Sequence, residues 1–209
     1  IKVKMQKNYC EIVGNGINGF KYKKNLTIEA KNSGTFGRII LCLLIKSPKK
    51  IKVIGDKSLS KRDFSRVTIP LEKFGVKFSY KIKNKLPLII LGTQSAKSIK
   101  YLENKGSAQC KSSVMLAALN ASGITSIKAK KSRNHTELLF KYLKIPIKVK
   151  KTKKFDFIDI KRPKKINAFN YQIPGDISSS AFFMVLTTLA DNSKLLIKNV
   201  NINPSRVGV

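Results

Sequence analysis

Residues 35–46 read Thr-Phe-Gly-Arg-Ile-Ile-Leu-Cys-Leu-Leu-Ile-Lys, and residues 109–121 form a second run of the same character. Neither run shows a clear polar face, so both are predicted to be helices buried on most sides. A short strand-like run follows each of them, at 51–54 and at 124–129. This combination predicts an α/β fold with helices in its interior.

A set of five elements recurs along the chain with a period of 71 residues, the spacing between Arg62 and Arg133. Each copy is predicted as helix, strand, helix, strand, strand, and Gly75 ends the second helix of the first copy. The first thirty residues are interpreted as the two-strand tail of an earlier copy. The first copy comprises 35–46, 51–54, 61–74, 76–80 and 88–91, the second comprises 109–121, 124–129, 134–143, 145–149 and 155–160, and a third opens with 179–190 and 195–200.

Units of this kind cannot bury both faces of their sheet alone, so several are expected to pack around a shared centre. The fold predicted is an inside-out α/β repeat barrel, with the helices buried and the sheets outside. Residues 161–170 mix charge and proline with little periodicity, which indicates the approach to a domain crossing. We expect one domain over 1–172, with its first repeat incomplete, and the start of a second, similar domain over 173–209.

The charge of the chain leaves a basic nucleic-acid-binding module open as an alternative. The 209 residues carry a net charge of +32, and a basic face gains affinity for nucleic acid by releasing counterions. The chain has 37 Lys but only 6 Arg, however, and the lysines are spread over nearly every segment. Because arginine is the usual residue for clamping phosphate, we predict no nucleic-acid partner and consider a small anionic substrate compatible with the charge.

Apolar runs and cysteines predict neither a membrane span nor a metal site. The longest strongly apolar run, 39–45, is too short to cross a bilayer. Cys10, Cys42 and Cys110 lie far apart, and with His135 as the only histidine they cannot close a tetrahedral metal site. We therefore expect reduced thiols and a cytoplasmic protein.

Five polar segments occur at helix starts of the repeat. Small hydroxyl residues and glycine at a helix start expose free backbone N–H groups beside a positive dipole end, which favours a phosphate. Capping alone would explain each serine or asparagine, but it does not require the accompanying Arg62, Gln109 or Lys111. The segments are Asn32-Ser-Gly-Thr35 with Arg38, Gly55-Asp-Lys-Ser-Leu-Ser-Lys-Arg62, Gly106-Ser-Ala-Gln-Cys-Lys-Ser112, Ser132-Arg-Asn-His-Thr-Glu137 and Ile173-Pro-Gly-Asp-Ile-Ser-Ser-Ser180.

In this order the five segments resemble the enolpyruvylshikimate-phosphate synthase family along almost the whole chain. The resemblance implies the enolpyruvyl transferase fold, two similar domains of three repeats with ligands in the cleft between them. It implies transfer of the enolpyruvyl group of phosphoenolpyruvate to the 5-hydroxyl of shikimate 3-phosphate in the shikimate pathway, with no cofactor and a full-length monomer. The enolpyruvyl transferase that acts on UDP-N-acetylglucosamine is the alternative within the class, and a non-catalytic remnant is another.

The resemblance implies shikimate 3-phosphate contacts at Ser107, Ala108, Gln109, Ser132 and Arg133. The hydroxyls of Ser107 and Ser132 are expected on the phosphate, and the amide of Gln109 near both ligands. Ala108 stands where some members of the family have a second serine.

The phosphoenolpyruvate contacts implied are Asn32, Gly34, Arg62 and Gln109. Arg62 suits bidentate recognition of a phosphate or carboxylate, and Gly34 lets the backbone approach a ligand closely. Asp63 and Phe64 depart from the Pro and Met that usually follow the arginine in this family.

No catalytic residue is expected within this chain. The resemblance implies that the proton-transferring Asp and Glu lie beyond Val209 and that further ligand contacts precede Ile1, so the chain by itself is expected to be inactive. Asp176 and His135, which look like candidates for acid or base, are interpreted as helix-start residues.

Overall fold

The computed structural model describes residues 2–17 and 19–208. Contacts divide the chain into two compact units, Ile1–Asn167 and Ala168–Val209. The elements of the first unit are β1 (Lys2–Met5), β2 (Cys10–Val13), β3 (Thr27–Glu29), α1 (Gly34–Leu43), β4 (Ile51–Ile54), α2 (Ser65–Lys73), β5 (Lys77–Tyr80), β6 (Leu88–Leu91), β7 (Lys100–Glu103), α3 (Ala108–Ala118), β8 (Ile124–Lys130), α4 (His135–Tyr142), β9 (Ile147–Lys151) and β10 (Phe155–Lys161).

Two four-stranded sheets in the first unit share one topology. Their strand orders are β3-β4-β6-β5 and β7-β8-β10-β9, and in each the first pair is parallel and the other two pairs are antiparallel. A parallel pair needs a crossover, which α1 provides in the first sheet and α3 in the second. The internal repeat is confirmed, but each sheet also takes in the strand before its first helix. Neither strand was predicted as part of its copy: β7 was not predicted at all, and the described part of the first thirty residues holds three strands, β1, β2 and β3, where two were expected.

Helices α1 and α3 pack against each other and form the centre of the first unit. Leu41 and Cys42 of α1 and Val114 and Met115 of α3 are fully buried. The two sheets add their inward residues to the same apolar cluster, while Lys52 and the other outward lysines of their strands remain exposed. The expectation that these two helices are internal is confirmed, and the lysines of these strands prove to be solvated.

The helix predicted at 61–74 is shorter than expected. A 3₁₀ turn occupies Leu59–Lys61, Arg62 is extended with φ −75° and ψ 147°, and α2 begins only at Ser65. The carboxylate of Asp63 accepts hydrogen bonds from the backbone N–H of Ser65 at 2.8 Å and from its hydroxyl at 2.5 Å. Because these bonds satisfy the first amide of α2, the helix starts after Asp63 and leaves Arg62 in the preceding loop.

The second unit contains α5 (Ile177–Thr188), which begins two residues earlier than the predicted 179. Asp176 caps it, since its carboxylate accepts a hydrogen bond from the backbone N–H of Ser178 at 3.1 Å. The interpretation of Asp176 as a helix-start residue is therefore confirmed. The strand predicted at 195–200 is wrong, because the structure shows only a single bridge between Gly175 and Val200 there. A strand needs a continuous partner, and in the described part of this unit Gly175 is the only residue that pairs with residues 195–200.

Within residues 2–17 and 19–208, none of the helices is both long and apolar enough to span a bilayer. The same residues contain no group of three or more His, Cys, Asp or Glu side chains placed to hold a metal ion. Cys10 is exposed, Cys42 and Cys110 are buried, and all three are free thiols.

Candidate functional site

A cavity of about 370 Å³ lies in the first unit, beside the starts of α1, α2 and α3. Three guanidinium groups and a single carboxylate line it, so its charge favours an anion. The lining residues are Arg38, Arg62, Asp63, Arg66, Ser107, Gln109 and Cys110.

Two serines occupy equivalent positions at the starts of the central helices. Ser33 caps α1 by accepting from Phe36 N at 3.1 Å, and Ser107 caps α3 by accepting from Cys110 N at 3.3 Å. The capping interpretation therefore holds for both residues. A hydroxyl that accepts in a cap still has its own proton to donate, so Ser107 keeps a donor for an anion in the cavity.

Gln109 joins the two helix starts. Its Nε2 donates to Thr35 Oγ1 at 3.0 Å, and its Oε1 accepts from Arg38 Nη1 at 3.4 Å. Both groups of its amide are thus engaged with α1, and the side chain is held at the edge of the cavity.

Arg38 is held by weak contacts. Its guanidinium donates to Gly34 O, Gln109 Oε1 and Asp63 O, each at 3.4 Å, which is long for a hydrogen bond. The group also lies 5.1 Å from the centre of the Phe64 ring. Partial burial, followed by the neighbouring Arg62, lowers the pKa of Arg38. A phosphate or carboxylate would be a much stronger acceptor for this cation than its present partners.

The sequence prediction did not include Arg38 or Arg66 among the binding residues. A signal for Arg38 was nevertheless present, because it follows the first polar segment, Asn32-Ser-Gly-Thr35, by three residues. Arg66 gives no such signal, since it reaches the cavity only through the late start of α2.

Gly34 is the first residue of α1 and is buried. A Cβ at this position would lie 2.9 Å from Arg38 Nη1 and 3.3 Å from Arg62 Nη1. The absence of a side chain therefore lets two guanidinium groups approach the helix start together.

Asn32 contacts the loop that carries Arg62. Its Nδ2 donates to Asp56 Oδ2 at 2.5 Å, and Asp56 Oδ1 accepts from Leu59 N at 2.7 Å. The Leu59 N–H first, and then the Asn32 amide, hold the pKa of Asp56 below its ordinary value. Asn32 thus fixes the loop, and it does not line the described cavity.

Ser132 and Arg133 come directly before Asn134, the residue that precedes α4. The hydroxyl of Ser132 is buried and has no hydrogen-bond partner within the described part of the chain, an unusual state for a buried polar group. Neither residue lines the cavity, and neither does Ala108. The structure therefore brings Arg62, Ser107 and Gln109 together and leaves the other three predicted shikimate 3-phosphate contacts outside the cavity lining.

These features define an α/β protein of internally repeated architecture with an arginine-lined cavity at its central helix starts. The chain belongs to the EPSP synthase (3-phosphoshikimate 1-carboxyvinyltransferase) family, whose sequence profile matches residues 1–209. The resemblance found in the ordered motifs is thereby confirmed.

Similar proteins support the same family. The chain is 41% identical over 211 residues to a 3-phosphoshikimate 1-carboxyvinyltransferase of Ruthia magnifica subsp. Calyptogena magnifica, covering 100% of this chain and 47% of the relative. It is 36% identical over 199 residues to that of Bacillus subtilis (strain 168), covering 95% of this chain and 45% of the relative. The chain spans about half the length of the curated relatives it matches.

A solved structure shares the fold. The EPSP synthase from Acinetobacter baumannii superposes with a TM-score of 0.84 at 33% sequence identity, covering 99% of this chain and 46% of that chain. The predicted α/β class is therefore confirmed by a structure of the same family.

Proposed function

We propose that this chain forms one binding wall of an enzyme that transfers the enolpyruvyl group of phosphoenolpyruvate to the 5-hydroxyl of shikimate 3-phosphate, with release of phosphate. The observation that carries the proposal is the cavity with three arginines, Ser107 and Gln109 around it. Residues 1–172 are the shikimate-phosphate-binding domain, and 173–209 open a second, similar domain. The full-length protein is a cytoplasmic monomer that uses no cofactor.

The proposed reaction handles two phosphates and a carboxylate. The 5-hydroxyl attacks C2 of phosphoenolpyruvate while its methylene carbon is protonated, and the tetrahedral intermediate then loses phosphate. Fixed cations and hydrogen-bond donors stabilise such charge without reorganisation during the reaction. Arg38, Arg62 and Arg66 supply cations at the cavity, whereas the proton-transferring groups are expected outside this chain.

Each ligand contacts a different set of residues in this proposal. Asn32, Gly34 and Arg62 serve phosphoenolpyruvate, with Asn32 acting through the loop that it fixes. Gln109 lies between the two ligands. The shikimate 3-phosphate contacts are Ser107, Ala108, Ser132 and Arg133, of which Ser107 and Ser132 each have a hydroxyl proton to donate.

Calorimetric titration of the full-length protein with shikimate 3-phosphate, and then with phosphoenolpyruvate in its presence, tests the proposal. Arg62→Ala removes a cation from the cavity, while Lys61→Ala removes an exposed cation from the adjacent position. We expect Arg62→Ala to weaken phosphoenolpyruvate binding at least tenfold, since a charged hydrogen bond contributes about 1.5–3 kcal/mol. Lys61→Ala should change it little.

The fold of both variants is checked by circular dichroism. Failure of the unmodified, folded full-length protein to bind shikimate 3-phosphate would contradict the proposed function. Equal phosphoenolpyruvate affinity of the two variants would remove Arg62 from the site.

A further inference from the structure

A lysine and a glutamate form an ion pair inside the first unit. Lys111 Nζ lies 2.5 Å from Glu137 Oε1, and the exposed fractions of the two side chains are 0% and 6%. Within the described residues, neither Lys111 Nζ nor Glu137 Oε2 has a hydrogen bond of acceptable geometry. Charge attraction therefore holds the pair together in an environment that solvent does not reach.

The pair connects the starts of two helices. Lys111 is in the first turn of α3, and Glu137 is in the first turn of α4. A second link lies beside it, because the hydroxyls of Ser112 and Thr136 are hydrogen-bonded at 2.6 Å. Two consecutive residues of α3 thus contact two consecutive residues of α4, which fixes both the separation and the register of the helix starts.

Stability alone does not account for this pair. Removing two charges from water is costly, and a well-packed apolar pair of similar size is often equally stable or more stable. Lys111 also lies near the positive end of its own helix, which is an unfavourable place for a cation. Fixing a geometry is the better-attested use of such a buried pair.

The fixed geometry concerns four of the proposed ligand contacts. Ser107 and Gln109 form the start of α3, and Ser132 and Arg133 come directly before Asn134, the residue that precedes α4. Lys111 itself is not assigned a ligand contact, because its ammonium group is already paired with Glu137.

We propose that Lys111 and Glu137 are positioning residues for shikimate 3-phosphate, which hold Ser107 and Ser132 at the spacing that one phosphate requires. This inference rests on the proposed function. A displacement of about 1 Å in a binding constellation can cost a large factor in activity, so the length of the link matters as well as its charge.

Two variants test the pair in the full-length protein. Lys111→Met/Glu137→Leu replaces it by apolar side chains and leaves no lone buried charge. Glu137→Asp keeps both charges but shortens the link by one methylene group. The matched control is Lys4→Met/Glu11→Leu, which makes the same replacement in the exposed ion pair between β1 and β2.

Titration with shikimate 3-phosphate and, separately, with shikimate distinguishes positioning from a general loss of structure. We expect the double apolar variant to keep its melting temperature and Glu137→Asp to fold but melt at a lower temperature, because its buried charges are less well paired. Both variants should bind shikimate 3-phosphate about tenfold more weakly, with a smaller loss for shikimate, which lacks the phosphate. The control should bind both compounds as the unmodified chain does. A purely structural role would lower the affinity for both compounds equally.

Each outcome decides the inference. Unchanged affinity in a folded Glu137→Asp variant would overturn it, and this variant decides the question if the double apolar variant does not fold. An equal loss for shikimate and shikimate 3-phosphate would also overturn it. If the unmodified full-length protein binds no shikimate 3-phosphate, the proposed function fails and this inference fails with it. If the unmodified protein binds and the variants bind equally well, the inference alone is contradicted.

Discussion

Gln109 and Arg38 lie 71 positions apart in the sequence, and their side chains meet at 3.4 Å between Oε1 and Nη1. The same glutamine donates to Thr35 at 3.0 Å. The two copies of the repeat therefore do not only resemble each other, since a side chain from the second copy holds two side chains of the first. Through this contact, the cavity forms where the two central helices begin.

Replacing Gln109 should loosen that connection. Gln109→Leu keeps a similar volume but removes both hydrogen bonds, so Arg38 and Thr35 lose a partner. We expect the free energy of unfolding to fall by about 1 kcal/mol and the affinity for shikimate 3-phosphate and phosphoenolpyruvate to fall about tenfold. Urea unfolding and calorimetry measure the two effects.

The control for this variant is Gln94→Leu, because Gln94 is an exposed glutamine that donates to Lys46 O at 3.0 Å. Gln94→Leu should lower the free energy of unfolding but leave the ligand affinities unchanged. Ligand affinities that fall equally in Gln94→Leu and Gln109→Leu would contradict the role of Gln109 at the cavity.

Replacing each of two glycines of α1 by alanine should have different effects, a loss of ligand affinity for one and a gain in stability for the other. Gly34→Ala places a methyl group 2.9 Å from Arg38 Nη1 and 3.3 Å from Arg62 Nη1, so the guanidinium groups must move. Their far ends are flexible, and we expect a folded protein with phosphoenolpyruvate affinity reduced about tenfold. Calorimetry in the presence of shikimate 3-phosphate measures this.

Gly37→Ala is the matched change one turn further along α1. Its methyl group would be 3.4 Å from the Ala30 Cβ and 3.5 Å from the Phe64 ring, which is ordinary contact. Alanine is favoured over glycine inside a helix by about 1 kcal/mol, so Gly37→Ala should stabilise the chain and leave binding unchanged. A binding loss as large as that of Gly34→Ala would show that steric contact with the arginines is not the cause.

The stabilising effect of Asp63 should depend on pH. The Ser65 hydroxyl is the main cause that holds the pKa of Asp63 below its ordinary value of 3.8. Because the folded pKa is depressed, the stabilisation is present above pH 3.8 and is lost as the pH falls through the folded pKa. Asp63→Ala should therefore lower the free energy of unfolding by about 1 kcal/mol at pH 7, and the difference should shrink toward pH 3.

Urea unfolding at several pH values measures the difference between Asp63→Ala and the unmodified chain. Glu72→Ala, which removes an exposed carboxylate from α2, should cost little stability at any pH. A constant difference for Asp63→Ala down to pH 3 would show that its hydrogen bonds to Ser65 do not depend on the ionised carboxylate.

The thiol of Cys42 should be unreactive until the chain unfolds. Complete burial raises its pKa to about 12, so at pH 8 only about one molecule in ten thousand carries the reactive thiolate. In a Cys10→Ser/Cys110→Ser variant we expect Ellman's reagent to label Cys42 only after urea is added. A Cys42→Ser/Cys110→Ser variant, which keeps the exposed Cys10, should react at once, and equal native rates would contradict the burial of α1.

Local patterns in the sequence were sufficient for most elements. The apolar runs gave α1 and α3, and β4 and β6 have the bounds expected from their β-branched and apolar residues. The strand β7 was missed, because its four residues, Lys100–Glu103, show no apolar alternation and pair only through β8. The strand predicted at 195–200 failed for the converse reason, since its apolar residues lack a continuous partner in the described chain.

The candidate site was predicted only in part. Arg62, Ser107 and Gln109 were expected as ligand contacts and do line the cavity, whereas Arg66 was not expected and lines it as well. Its position depends on where α2 begins, and Asp63 determines that through its hydrogen bonds to Ser65. Such a displacement of a helix start follows from side-chain geometry, which periodicity does not record.

By itself, the sequence determined the family, the repeat and the helix starts that carry polar residues, because capping, glycine placement and apolar periodicity act over a few neighbouring positions. Only the tertiary structure decided which of those starts share a cavity. Contacts such as Gln109 with Arg38, or Lys111 with Glu137, join residues far apart in the chain. Their formation depends on how α1, α3 and α4 pack, and no local pattern encodes that packing.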